Sequence, residues 1–232
     1  MKSTGQLAPA ALYRLMAWLS PAFPTGGFSY SHGIEFAVEA GLVAGRDQTL
    51  DWIDGILRHG AGRSDAQLFA LAWRAADAND VDALMKVAEL ASALRGTAEL
   101  ALEARAQGAA FLSAVQRAWP SRRLAGWTEA LTVVPSLPVV VALAAAAHGV
   151  PLVPALGAFT QSFAANLVSA AVRLVPLGQS DGLAVLAALE PAVQAAVSSA
   201  LSVELDDVGA AAPVVDWCSM SHETQYTRLF RS

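Results

Sequence analysis

A chain of 232 residues, 55% hydrophobic and 15% charged, holds ample apolar material for one large core or two small ones, which excludes disorder driven by low hydropathy. A net charge of −5 provides no basic field for nucleic acid, and a lone cysteine, Cys218, closes no internal disulfide, which fits a reducing, cytoplasmic setting. The mean hydropathy of +0.43 is high enough that a membrane has to be weighed.

At the N-terminus Lys2 precedes an apolar stretch, but Arg14 interrupts it and no small-residue cleavage site follows; no signal peptide is read. Pro21 to Gly27 marks a turn, and a helix is expected from about Ser31 to Ala40. The Gly26–Gly27 pair lacks the Gly-Lys-Ser/Thr of a phosphate loop and follows no strand, so neither GTP binding nor GTP hydrolysis is expected. His32 and Glu35, three apart, are expected on one helix face. A di-metal carboxylate bundle needs several Glu-x-x-His elements, and none recurs. Ser29, Ser31 and His32 lie too close in sequence for a nucleophile–base pair by spacing alone.

Further along, Asp47 is placed to cap a helix with Leu50, Ile53 and Leu57 on one face, and Leu68 and Leu71 continue the pattern. Asp80 opens another stripe through Val81, Leu84, Val87, Ala91 and Leu94. Turns are predicted at Trp119 to Ser121 and at Val134 to Ser136. Leu137 to Phe159 is the membrane candidate, with His148 its one ionisable residue. Pro138, Gly149, Pro151, Pro154 and Gly157 break it. His148 to Pro151 reads as a helix end: a cation, Gly at C′, then Pro. Two buried helices are therefore predicted, not a span of about 20 residues.

Leu152, Leu156, Phe159, Phe163, Leu167, Ala170 and Leu174 form a helical stripe, with Val168 and Val172 off it, which predicts a central helix apolar on most sides. Arg173 either snorkels to the surface or joins a buried network with Gln179 or a partner's carboxylate. Gly178 to Gly182 is read as a turn. Cys218 and His222, four apart, share a face if helical; two ligands do not close a tetrahedral zinc site, though a second copy would supply two more. The last residues place Tyr226, Leu229 and Phe230 at helical spacing beside Arg228 and Arg231, the residue types of interface cores. Docking on the chain's own core or on a partner stays open at this point.

The fold expected is all-α: one compact helical domain over residues 1–232, of about eight to ten helices, without catalytic residues, metal ligands or a cofactor. Too little charge is present to cover so apolar a surface, which predicts a homodimer.

Three stretches together resemble the urease accessory protein F (UreF) family: Trp18–Glu35 (WLSPAFPTGGFSYSHGIE), Asn166–Gln179 (NLVSAAVRLVPLGQ) and His222–Ser232 (HETQYTRLFRS). Residues 65–135 resemble it mainly in helical character, with Glu103, Gln107 and Gly108 fitting more loosely. The resemblance implies a non-enzymatic, dimeric scaffold that binds the accessory protein UreD (also called UreH) and recruits the GTPase UreG. The assembly assists nickel insertion into apo-urease, with neither nucleic acid nor membrane involved. Partner contacts are expected from Phe23, Phe28, Tyr30, His32, Glu35, Arg173, Gln179, His222, Glu223, Tyr226, Arg228, Leu229, Phe230 and Arg231. Residues 221–232 are expected to form a tail that orders on UreD, so that losing Phe230 barely changes monomer stability. The alternative is a nickel-binding metallochaperone that uses Cys218 and His222 across a dimer.

Overall fold

Alanine-rich periodic segments become helices along the whole chain of the computed structural model, which describes residues 7–232. In order these are α1 (Pro9–Trp18), α2 (Ile34–Glu39), α3 (Arg46–Arg58), α4 (Ala61–Ala78), α5 (Val81–Ala93) and α6 (Ala98–Ala118). There follow α7 (Arg122–Ala130), α8 (Leu137–Ala147), α9 (Leu152–Leu174), α10 (Gln179–Ala188), α11 (Glu190–Ala200) and α12 (Pro213–His222). No strand occurs among the described residues, and the all-α expectation holds. The segments exceed ten only because α2 is a six-residue stub and because α10 and α11 are two arms of one kinked helix. The kink falls before Pro191, whose ring cannot continue an undistorted helix. The N-terminal reading that began from Lys2 lies partly outside the described residues.

The core is built around α8. Every residue from Pro138 to Ala146 is buried, so this helix has no polar face, and α4, α6 and α9 pack around it. Leu143, fully buried, stands for what each large side chain contributes here, about 2 kcal/mol of apolar transfer. Its alanines allow α4 to approach closely, and on α6 Gly108 plays the same part: a Cβ there would collide with the Pro135 carbonyl and the Ser136 backbone. The membrane candidate thus resolves into α8 and α9, as the proline and glycine positions predict. Two stretches, Leu152–Leu174 and Gln179–Ala200, are long and apolar enough to cross a bilayer; the first is the helix packed against α4, α8, α10 and α11.

The turn between α8 and α9 is closed as expected: Gly149 takes φ +68°, its N–H donates to Ala146 O, and Val150 N–H donates to Ala145 O. The cation at this helix end, however, is Arg14, whose guanidinium donates to His148 O at 3.2 Å. Burial, with Arg14 beside it, lowers the pKa of His148 below the usual imidazole value. Asp80 caps α5 by accepting from Ala83 N–H at 2.9 Å. Asp47 does not cap α3: the N-cap is Gly45, and Asp47 lies in the first turn against Arg46. Gly178 to Gly182 is no turn either, since α10 begins at Gln179 and Asp181 accepts from Gly178 N–H.

Candidate functional site

All three stretches singled out above meet at one end of the molecule, where the C-terminal segment folds back between α2, α6 and α9. The first difference from expectation is local. The helix predicted from Ser31 starts only at Ile34, because His32 and Gly33 both take left-handed backbone, at φ +56° and +80°. Gly33 is required twice over: its φ disfavours a side chain, and a Cβ would stand 3.3 Å from Ser219 N and Val215 O of α12. This sharp turn sets Ser31 beside Glu35 and aims both at the tail. Ser31 accepts from Glu35 N–H at 3.3 Å, and its own N–H donates to Ser232 O at 2.7 Å.

Beyond His222 the chain is not helical. It runs through turns and bends in which Phe230 and Ser232 are buried while Leu229 and Arg231 are exposed. Three carboxylates hold it. Glu35 accepts from Leu229 N–H at 2.6 Å and from Phe230 N–H at 2.8 Å, and its Oε2 lies 3.0 Å from His222 Nε2. Glu99 accepts from Arg228 at 3.0 Å, and its Oε2 lies 2.7 Å from His222 Nδ1. Glu103 accepts from Ser232 Oγ at 2.9 Å and from Gln107 at 3.1 Å. Arg231 N–H donates to Ser29 O, so residues 29–31 are tied to the tail by two backbone bonds. The guanidinium of Arg173 stacks 4.3 Å over the Phe230 ring. Buried carboxylates are tolerable only when their oxygens are occupied in this way.

The α9 helix supplies the floor through a polar stripe at spacings of three and four. Ser162 donates to Leu19 O and Asn166 to Gly27 O, pinning both ends of the loop that contains Pro21 and Gly26. Beneath that loop lies a chamber of about 360 Å3, whose walls include His32, Glu103, Gln107, Asn166 and the buried Asp65–Arg95 pair. His32 Nδ1 stands 3.5 Å from Glu103 without forming a hydrogen bond, and neither ring nitrogen has a hydrogen-bond partner.

The expected contact residues separate into three groups. Tyr30, His32, Glu35, His222 and Phe230 are buried within the chain itself. Phe28, Gln179, Glu223, Tyr226, Arg228, Leu229 and Arg231 are exposed, with Tyr226 fully in solvent. Phe23 packs against Phe111 and Trp119 instead, as part of the main core. Arg173 forms no bond to Gln179; its side chain turns to Phe230. The expectation of a tail that leaves the chain's own body unburdened is corrected by Phe230, only 4% exposed, and by the carboxylate bonds. Helical spacing misled there because the chain past His222 turns and bends, which separates Tyr226 from Phe230 although they are four apart.

The shared face of Cys218 and His222 does exist on α12, but it faces inward. Both side chains are fully buried, burial pushes the Cys218 thiol up to about 11, and both His222 nitrogens already face carboxylates. A metal pair across a dimer is therefore not what this face offers. Among the described residues no group of three His, Cys, Asp or Glu is arranged to hold a metal ion. Glu99 escaped the sequence reading. Its signal was the i, i+4, i+8 stripe Glu99, Glu103, Gln107 within an alanine-rich helix, which reads as a solvated face until α12 and the tail cover it.

These features define an all-helical scaffold whose buried polar site binds a segment of its own chain. The sequence model of the UreF family matches residues 43–190, and similarity extends well beyond that span. Urease accessory protein UreF of Rhodopseudomonas palustris (strain BisB5) is 53% identical over 96% of this chain and 92% of its own length. The UreF proteins of Bradyrhizobium diazoefficiens and Magnetococcus marinus are 50% and 48% identical, again over 96% of this chain. The chain belongs to the UreF family of urease accessory proteins.

Proposed function

We infer that this protein is a non-enzymatic assembly factor that joins a UreD-type accessory protein and a UreG-type GTPase to assist nickel insertion into apo-urease. Family membership supports the urease-accessory role. The observation that carries the partner assignment is the docked tail: it is fixed from beneath by three carboxylates, yet presents Tyr226, Leu229 and Arg231 to solvent beside the exposed Phe28. Aromatic, aliphatic and arginine side chains on a preorganised segment lose little freedom on binding, which is what an interface anchor requires. The cytoplasm is the compartment that fits a lone free thiol, and a second copy of the chain is expected to cover part of its exposed apolar surface.

Co-purification with UreD-type and UreG-type proteins tests the reading directly. Replacing both Tyr226 and Leu229 by Ala should weaken capture of the UreD-type protein roughly thirtyfold, as for loss of about 2 kcal/mol at an interface anchor. The thermal midpoint should stay unchanged, since neither side chain is buried. Undiminished capture by that variant removes the tail from the interface. Light scattering that finds a monomer at micromolar concentration removes the dimer.

A further inference from the structure

We propose that His222 is a proton-dependent clasp, which holds the C-terminal segment docked as the doubly protonated imidazolium and releases it when the ring loses a proton. The geometry is the reason. An ionised carboxylate only accepts hydrogen bonds, and a neutral imidazole has a single N–H. His222 has Glu99 on Nδ1 at 2.7 Å and Glu35 on Nε2 at 3.0 Å, so a neutral ring would set a lone pair against one of the two carboxylates. In the imidazolium both nitrogens donate and both carboxylates are satisfied.

The same two carboxylates carry the tail. Glu35 holds the Leu229 and Phe230 amides, and Glu99 holds Arg228, so whatever repels either carboxylate from the ring loosens the tail it supports. The charged and titratable groups facing His222 are few: Glu35 on α2, Glu99 on α6, Arg228 in the tail and, on its own helix, the buried Cys218 thiol. Glu103 and His32 lie one contact further away, where Glu103 holds Ser232. Histidine is the side chain whose charge most readily changes near neutral pH. The docked state holds one proton more than the released state once the free ring is neutral. Docking is then full on the acidic side and weakens as pH rises, by up to about tenfold per pH unit. This concerns the chain alone and stands independently of the partner assignment.

The test uses the full chain with 15N-labelled histidine. Long-range nitrogen–proton correlation at pH 7 should show His222 with both nitrogens protonated while the Leu229 and Phe230 amides are protected from exchange. Protection factors at those amides should fall by about tenfold per pH unit on the alkaline side, after correction for intrinsic exchange. H222Q should remove this dependence, and H32N, the control for the other buried ring at the site, should keep it. A neutral His222 ring with the tail docked overturns the proposal. So does protection that does not change with pH, or a dependence that survives in H222Q or disappears in H32N. Should H222Q fail to fold, the ring state and pH profile of the unaltered chain still decide.

Discussion

Two single side chains illustrate how burial sets chemistry here. Cys218 lies fully buried on α12 with its thiol pushed up to about 11, against a usual cysteine near 9. The thiolate fraction at pH 8 is therefore lower by about a hundredfold, before access is considered. Native protein should resist thiol–disulfide exchange with Ellman's reagent and react fully once unfolded; fast reaction of the native state would place Cys218 at the surface. His148 carries the second residue-scale prediction. Its folded pKa lies below its unfolded one, so the unfolded chain binds the extra proton on acidification. Its contribution to stability is intact above the unfolded imidazole value, near 6.5, and is lost as pH falls through it. H148N should flatten the slope of denaturation midpoint against pH between about 7 and about 5; an unchanged slope would exclude it as the titrating group.

Among the elements, α2 shows how much rests on one turn. Its six residues could not persist alone, since isolated helices this short are marginal in water. The stub is kept by α12 and by the tail bonds to Glu35. Gly33→Ala combines a strained φ with a Cβ 3.3 Å from two α12 backbone atoms. We expect a loss of about 2 kcal/mol or more from backbone strain and displaced packing. The amides of Leu229 and Phe230 should lose exchange protection in parallel, because the turn positions Glu35. Stability lost without any change in the tail would mean that Gly33 serves only the α2–α12 contact. Gly108 carries a comparable role on α6, where Gly108→Ala should separate α6 from the Pro135–Ser136 turn and lower the thermal midpoint.

For the molecule as a whole, the tail is part of the folded body. Phe230→Ala removes a ring that is 4% exposed and lies under Arg173, and should cost about 3 kcal/mol. For a domain of this size that is a fall of roughly 6–12 °C in Tm by calorimetry. A chain ending at Met220 should fall at least as far, since it also removes His222 and Arg228 from beside Glu35 and Glu99. Equal midpoints for full-length and truncated chains would mean that the tail does not dock in solution. Together with the Tyr226 and Leu229 pair, this experiment separates the two roles proposed for one segment, stability for its inward residues and partner capture for its outward ones.

Most of the helical architecture was legible in the chain. Apolar residues at spacings of three and four, alanine in abundance, Asp80 before α5 and Gly149 after α8 specify helices and their ends through local sterics and hydrogen bonding. These act over a few residues and need no knowledge of the rest. The three stretches similar to the family are also the ones the fold brings together. Their meeting was not legible, because Glu35, Glu99, Glu103 and His222 are brought together across up to 187 positions, and sequence spacing carries no signal at that range. Nor was the course of the tail: Tyr226, Leu229 and Phe230 match a helical spacing, but the chain there runs through turns and bends. Only the packing of α12 and the tail against α2, α6 and α9 decided that Phe230 turns inward, where burial and three carboxylates hold it, and that Tyr226 and Leu229 turn out.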